Sequence, residues 1–215
     1  MVSKQAFFPE AQKALDDLIA GNRRFVNEIT SADISANRRK ELLKGQHPIA
    51  TIVACSDSRV MPGYIFDQGL GNIFLIRTAG EILDDICIAS IEYGVAHLGT
   101  PLLIILGHTD CGAVKATVSN AKLHGHLPLL ADKIKPAMNK CHELGDSSNP
   151  DFCQKVILEN TLEIAESLMA ISKEIKEAVE KNKCIILSAM YDLDSGNVEF
   201  LYEVKSHLAE TKAKK

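Results

Sequence analysis

Two aliphatic runs, each followed closely by a short polar motif, constrain the fold of this chain more than any other feature. Residues 49–54 precede Cys55-Ser56-Asp57-Ser58-Arg59, and residues 102–106 come just before His108-Thr109-Asp110-Cys111-Gly112. Runs of this kind, ended by turn residues, are typical of buried strands. We therefore expect two thiols and one imidazole at the ends of two core strands, where open α/β sheets gather their ligands.

The rest of the chain alternates between patterns typical of strands and of helices. Further strands are predicted at 73–77 and 184–191, the latter followed by a tight turn at 194–197 and a return strand at 198–201. Helices are predicted at 9–27, at 35–43, at 84–97, at 112–119 and over 151–181, with a partly helical loop at 63–72. This order predicts an α/β fold in which helices flank a central, mainly parallel sheet.

No internal repeat, low-complexity segment or convincing linker interrupts the chain, so a single domain is predicted over residues 1–215. Within it, residues 1–44 are interpreted as a helical N-terminal arm and residues 45–215 as the α/β core that carries the two polar motifs. A chain of 215 residues is long enough to bury one sizeable core.

Composition excludes several classes of protein. Hydrophobic residues make up 46% of the chain, charged residues 24%, and the formal net charge is -4, which gives no sign of nucleic-acid binding. No run approaches the roughly 20 apolar residues that span a bilayer, and residues 1–10 lack the pattern of a signal peptide. Six cysteines are too sparse for a disulfide scaffold. We therefore expect a cytoplasmic protein in a reducing compartment, without nucleic-acid or membrane partners.

Cys55, His108 and Cys111 carry the ligand types that zinc prefers. His108 and Cys111 are three residues apart, so one turn can bring both to the same ion. Three protein ligands leave a fourth position for water, as in catalytic zinc sites. Because two thiolates and a neutral imidazole cancel the zinc charge, we expect the bound water to need local help to ionise near neutral pH.

Asp57 is the natural helper, because it lies two residues after Cys55 on the same predicted loop. Its carboxylate could accept a hydrogen bond from zinc-bound hydroxide, or it could bind zinc as a fourth ligand and close the site. Arg59 could hold Asp57 in a bidentate pair, ionised and directed away from the metal. The motif therefore predicts a choice between an open, water-bearing site and a closed, Asp57-ligated one.

Plainer interpretations compete with each of these assignments. A single buried cysteine more often packs as a small hydrophobe, and an exposed Asp–Arg pair usually contributes little to stability. For the whole set, the main alternative is a structural zinc site whose fourth ligand never leaves. The remaining cysteines are interpreted as structural: Cys87, Cys141, Cys153 and Cys184.

At these residues the chain resembles the β-class carbonic anhydrases, and the similarity covers nearly its whole length. The matching segments are residues 18–25, 54–60, 66–69, 71–74, 77–80, 90–95, 106–114 and 191–193. The resemblance implies reversible hydration of carbon dioxide to bicarbonate and a proton, by attack of zinc-bound hydroxide. It also implies that Cys55, His108 and Cys111 hold the zinc and that Asp57 and Arg59 form the catalytic pair that orients the hydroxide.

The resemblance further implies a substrate pocket and an assembly. Its pocket residues fall on Gln46, Phe74 and Tyr93, together with the backbone amide of Gly112 at a helix start. In the family this pocket lies at a dimer interface, so Gln46 or Phe74 would serve the neighbouring subunit's zinc. A homodimer is therefore expected, with dimers that can pair into tetramers and N-terminal helices that embrace the partner. Gln46 and Tyr93 favour the constitutively open type of site.

One position departs from the family pattern. Glu81 stands where the family often has a neutral residue, and we expect it near the rim of the pocket. Two other functions remain open beside carbon dioxide hydration. Some relatives use the same fold and ligands to hydrolyse carbon disulfide or carbonyl sulfide. A non-catalytic zinc-binding module is the other alternative, although a purely structural zinc needs neither Asp57 nor Arg59.

Overall fold

The computed structural model describes residues 7–145, 149 and 151–204, and within them the chain forms one five-stranded sheet in the order β2-β1-β3-β4-β5. Its strands are β1 (Ala50–Cys55), β2 (Ile73–Thr78), β3 (Leu102–His108), β4 (Ile185–Tyr191) and β5 (Val198–Val204). The first four strands pair in parallel, and β5 returns antiparallel to β4. The predicted mainly parallel sheet is confirmed, because long crossovers connect the parallel strands and a tight turn connects the last two.

The helices in the described residues flank this sheet. They are α1 (Pro9–Val26), α2 (Ala36–Glu41), α3 (Pro62–Ile65), α4 (Asp85–Glu92), α5 (Gly112–Val118), α6 (Leu127–Glu143), α7 (Phe152–Ile171) and α8 (Lys173–Glu180). Shorter turns complete them: 3₁₀ turns at Leu42–Lys44 and Ala79–Glu81, and a π-helical turn at Tyr93–His97.

Two helix predictions need correction, and one helix was not predicted. The segment predicted as one helix over 151–181 divides at Ser172, whose extended backbone and hydroxyl cap the start of α8. The segment predicted at 84–97 changes from α-helix to π-helix at Tyr93. Sequence reasoning missed α6 altogether, although Ala131, Ile134 and Ala137 recur at helical spacing and are buried.

The two faces of the sheet are covered by different helices. On one face, Ile52, Ile104 and Leu187 pack with residues of α1 such as Leu18. On the other face, the alternate positions of the same strands pack against α4, α7 and α8. Successive side chains of a strand point to opposite faces, so strands buried on both sides read as continuous apolar runs.

A third apolar cluster closes the carboxyl end of the sheet. It joins Cys55 and Cys111 to buried residues of α5, α6 and α7, among them Val114, Ile134 and Ile157. The ends of β1 and β3 are therefore covered by helices and not by solvent. Of the helices in the described ranges, none combines the length and apolar character needed to cross a membrane.

Candidate metal centre

Three side chains converge where β1 and β3 end. The ligand atoms of Cys55, His108 and Cys111 all lie within 4.8 Å of one another, and the three residues are buried. Sulfur and nitrogen ligands of one tetrahedral zinc stand about 3.5–3.8 Å apart, which follows from their usual bond lengths. In the part of the chain that the structure describes, this trio is the one group of three or more potential metal ligands that lie close enough together.

The sheet topology explains why these residues meet. Strands β1 and β3 are parallel neighbours, with Ala54 paired to Leu106, so Cys55 and His108 end the two strands at the same edge. Cys111 then caps the N-terminus of α5 after a turn in which Asp110 has φ 62°. The order of strands and one tight turn thus deliver all three ligands to one point.

The imidazole of His108 is held in the form that binds a metal. Its Nδ1 lies 2.8 Å from the Thr109 carbonyl oxygen, to which it donates, so Nε2 carries the lone pair. That Nε2 is buried and has no hydrogen-bond partner among the described residues. A buried polar atom without a partner is costly, and a metal ion between Nε2 and the two sulfurs would satisfy it. The residues therefore fit zinc.

The two thiols behave as a pair. A hydrogen bond from the Cys111 thiol to the Cys55 sulfur lowers the pKa of Cys55. The same contact raises the pKa of Cys111. A metal binds both cysteines as thiolates, so the one proton that the two sulfurs share would be released on metal binding. A further donor, the Gly80 amide, lies 3.2 Å from the Cys55 sulfur and supports its negative charge.

Asp57 and Arg59 form the bidentate pair that the sequence predicts. Arg59 Nε donates to Asp57 Oδ1 at 2.9 Å and Arg59 Nη2 to Oδ2 at 2.7 Å, while the Arg59 backbone amide donates to Oδ1 at 2.9 Å. These hydrogen bonds hold the pKa of Asp57 well below its usual range. The carboxylate is therefore ionised at neutral pH and engaged with Arg59, which corresponds to the open arrangement.

Sequence reasoning missed a second arginine that fixes the loop. Arg77 Nε donates to the Cys55 carbonyl at 3.0 Å, and Arg77 Nη2 donates to the Asp57 carbonyl at 2.7 Å. The signal was available in the predicted topology, because Arg77 stands beside Ala54 in the parallel register of β1 and β2. A side chain at that position reaches the loop that follows Cys55.

The three predicted pocket side chains do not lie with the metal ligands of their own chain. Phe74 is paired to Thr51, four residues before Cys55, which is about 13 Å along the strand. Tyr93 stacks near Phe74 at a ring-centroid distance of 5.8 Å and is 47% exposed. Gln46 is exposed beyond the amino end of β1. These residues therefore lie toward the amino end of the parallel strands, whereas Cys55 lies at the carboxyl end.

Gly112 and Glu81 have contrasting positions. Gly112 begins α5 next to Cys111, and open space surrounds the position that a Cβ would occupy. Glu81, expected near the pocket rim, is instead fully buried at 0% exposure, so that expectation is wrong. The cause lies in the backbone, because Gly80 and Glu81 both have positive φ and turn the side chain inward under the metal ligands.

Comparison with known sequences gives one consistent family. Residues 50–198 match the sequence profile of the carbonic anhydrase family. A carbonic anhydrase of Mycolicibacterium smegmatis is 34% identical over 206 residues, which cover 93% of this chain and 94% of the relative. Carbonic anhydrase 2 of Mycobacterium tuberculosis is 38% identical over 191 residues, which cover 86% of this chain and 89% of the relative.

Comparison with solved structures agrees. The β-carbonic anhydrase CafA of Aspergillus fumigatus superposes with a TM-score of 0.72 at 25% identity, covering 92% of this chain and 95% of that one. The Coccomyxa β-carbonic anhydrase, solved with acetazolamide, has the same fold, with a TM-score of 0.71 at 22% identity and coverage of 94% and 87%. Tetrameric β-carbonic anhydrases of Sordaria macrospora likewise share the fold, with a TM-score of 0.69, 23% identity and coverage of 88% and 94%.

Proposed function

The chain belongs to the β-class carbonic anhydrase family, and from that premise we propose that it catalyses the reversible hydration of carbon dioxide to bicarbonate and a proton, with zinc held by Cys55, His108 and Cys111. The observation that carries the proposal is a buried set of three ligands beside an ionised Asp–Arg pair. A permanently closed structural site needs a fourth protein ligand, and the described residues supply three close enough to one another.

A zinc ion in this site would supply a water of lowered pKa and thus a nucleophile near neutral pH. The role proposed for Asp57 follows from its hydrogen bonds. Oδ1 accepts two of them and Oδ2 accepts one, so Oδ2 retains a lone pair for a further donor. An ionised carboxylate only accepts, so it selects and orients a hydroxyl group that points its proton toward Oδ2.

Arg59 has a supporting role in this proposal. Its guanidinium occupies both oxygens of Asp57 and also faces Asp110, whose Oδ2 lies 3.7 Å from Nη1. While Arg59 holds it, Asp57 cannot turn onto the metal and become the fourth ligand. Loss of this pair would therefore favour the closed site. A closed site would leave no position on the zinc for the water that attacks carbon dioxide.

We propose that a second copy of the chain completes the pocket. Gln46, Phe74 and Tyr93 are remote from the Cys55 sulfur of their own chain, yet Gln46 and Tyr93 are exposed. In a two-fold symmetric dimer, the amino ends of the strands in one protomer can face the carboxyl ends of the strands in the other. Each pocket would then combine the metal ligands and Gly112 of one protomer with Gln46, Phe74 and Tyr93 of its partner. One domain over residues 1–215 is proposed for each protomer.

Stopped-flow hydration of carbon dioxide at about pH 7 and about pH 8.5–9, on protein with assayed zinc content, tests this function. We expect turnover at both pH values, because Asp57 is already bound to Arg59. Activity at the higher pH alone would identify the Asp57-closed type. A chain that binds one zinc but fails to hydrate carbon dioxide at either pH contradicts the proposal, and carbon disulfide or carbonyl sulfide would be assayed next.

A further inference from the structure

Glu81 is a buried acid that the proposed reaction does not use. Its exposure is 0%, and its Oε2 has no hydrogen-bond partner among the described residues. Its backbone has φ 46°, a left-handed conformation that is uncommon for any residue except glycine. A strained backbone and a buried carboxyl group in one residue indicate that the surroundings hold it there, which is frequent at functional sites.

A hydrogen bond joins the Glu81 side chain to α7. Thr161 Oγ1 lies 3.3 Å from Glu81 Oε1 and 3.0 Å from the Ile157 carbonyl oxygen. The Thr161 hydroxyl donates to Glu81 Oε1, so its one proton is shared between the Glu81 side chain and the Ile157 carbonyl oxygen. An ionised carboxylate here would also leave Oε2 buried and unpaired. Burial, with the Cys55 sulfur adding to it, raises the pKa of Glu81 to about 8.

The turn that contains Glu81 touches the metal centre. It runs from Ala79 to Glu81, and the Gly80 amide in its middle donates to the Cys55 sulfur at 3.2 Å. The Gly80 carbonyl accepts from Asn160 Nδ2 at 3.1 Å. Asn160 and Thr161 are neighbours on α7, so this helix holds the turn at two points, one on the backbone of Gly80 and one on the side chain of Glu81.

We propose that Glu81 is a positioning residue of the metal centre: through Thr161 it fixes the Ala79–Glu81 turn to α7, so that the Gly80 amide stays directed at the Cys55 sulfur. This inference rests on the proposed zinc site. An amide hydrogen bond to a ligand sulfur withdraws charge from it, which sets both the affinity for the metal and the acidity of what the metal binds. Glu81 would act on zinc without touching it.

Cobalt(II) substitution tests the inference without relying on activity. The variants are Glu81→Ala, which removes the side chain, and Glu81→Gln, whose amide oxygen can still accept from Thr161 Oγ1. We expect Glu81→Ala to shift the sulfur-to-cobalt charge-transfer band and to weaken cobalt binding by about 10–100-fold, the usual range for such outer contacts. We expect Glu81→Gln to keep the band and to bind cobalt with an affinity within about twofold of the natural chain. The pH profile of carbon dioxide hydration should likewise shift in Glu81→Ala and stay unchanged in Glu81→Gln.

Thr161→Val covers the case in which Glu81→Ala does not fold, because it removes only the hydroxyl partner and should move the band in the same direction. Thr117→Val is the matched control, since the Thr117 hydroxyl donates to Ala113 in its own helix at 3.0 Å as Thr161 does to Ile157. The control should leave the band unchanged. Wild-type spectra in both Glu81→Ala and Thr161→Val, or a Glu81→Gln variant as impaired as Glu81→Ala, would overturn the inference. A natural chain without any sulfur-to-cobalt band would instead refute the zinc site itself.

Discussion

The two ends of the central sheet differ in how complete they are. At the carboxyl end, Cys55, His108 and Cys111 are buried within 4.8 Å of one another, and Asp57 is already bound to Arg59. At the amino end, Gln46 and Tyr93 are exposed, whereas the trio of Cys55, His108 and Cys111 lies at the other end of the strands. One end is organised within a single chain, whereas we propose that the other forms a binding surface only with a second chain.

The difference has a physical reason. Metal ligands must be held to within a fraction of an ångström, so they are placed at strand ends and a helix start that the core fixes. Residues that contact a small substrate tolerate looser control and can come from another subunit. The following predictions test whether the metal ligands and the substrate contacts come from different ends of the sheet, beginning with the largest expected effect.

Removal of a ligand at the carboxyl end should have the greatest consequence. Cys111→Ser leaves one thiolate and one imidazole, and since even outer contacts cost 10–100-fold, we expect zinc affinity and hydration to fall by more than about 100-fold. The fold should persist, because β1 and β3 are packed along their whole length. Zinc content by elemental analysis and stopped-flow hydration measure the effect. Full metal occupancy in this variant would mean that the ligand set is wrongly assigned.

Substitution of the acceptor beside the metal should separate metal binding from turnover. Asp57→Asn keeps the shape of the side chain but introduces an N–H₂ group where a pure acceptor is required, so we expect kcat to fall by about 100-fold with zinc retained. The low pKa of Asp57 means that its ionisation in the natural chain does not limit the rate between pH 6 and 9. Unchanged turnover in the variant would remove Asp57 from the mechanism.

The smallest effect is expected where the end of α1 and the residues after it meet Asp67, in the loop before β2. Asp67 is buried and accepts hydrogen bonds from Arg24, Thr30, Ser31 and the Ala32 amide. Burial alone would raise its pKa, but these donors lower it. Asp67→Asn should lower the free energy of unfolding by about 2 kcal/mol, with zinc affinity unchanged.

The pH dependence of that effect has a definite sign. A carboxyl group whose pKa is lowered in the folded chain contributes stability above its unfolded pKa of about 3.9, and loses it as pH falls through the folded pKa. The difference between natural chain and Asp67→Asn should therefore be constant near neutral pH and shrink below about pH 4. Urea unfolding at several pH values measures it, and a difference that grows in acid would contradict the role of the carboxylate.

Sequence patterns predicted most of the carboxyl end and less of the rest. Cys55, His108 and Cys111 could be found because apolar runs mark the strands and because the ligand types are specific to zinc. The burial of Glu81 could not, since it depends on a left-handed backbone at a residue that rarely adopts one. The break at Ser172 and the helix α6 were missed because capping and a proline at position 136 obscure the helical period.

The amino end was identified by family resemblance alone. Nothing in the spacing of Gln46, Phe74 and Tyr93 indicates a pocket, because in the proposed dimer these residues meet a metal only across two chains. A single sequence encodes each half of such a site but not the symmetry that joins the halves. The claim that most needs a direct test is therefore that the amino end of one chain completes the metal site of another.

Mixing two inactive variants tests it most directly. Cys111→Ser lacks a metal site but has an intact Gln46, and Gln46→Ala has an intact metal site. After the two are unfolded together and refolded, half of the dimers are mixed, and each mixed dimer contains one complete site if Gln46 serves its partner. We expect about a quarter of the natural activity to return. If activity stays at the sum of the two parent variants while mass spectrometry shows mixed dimers, Gln46 acts within its own chain and the shared pocket is wrong.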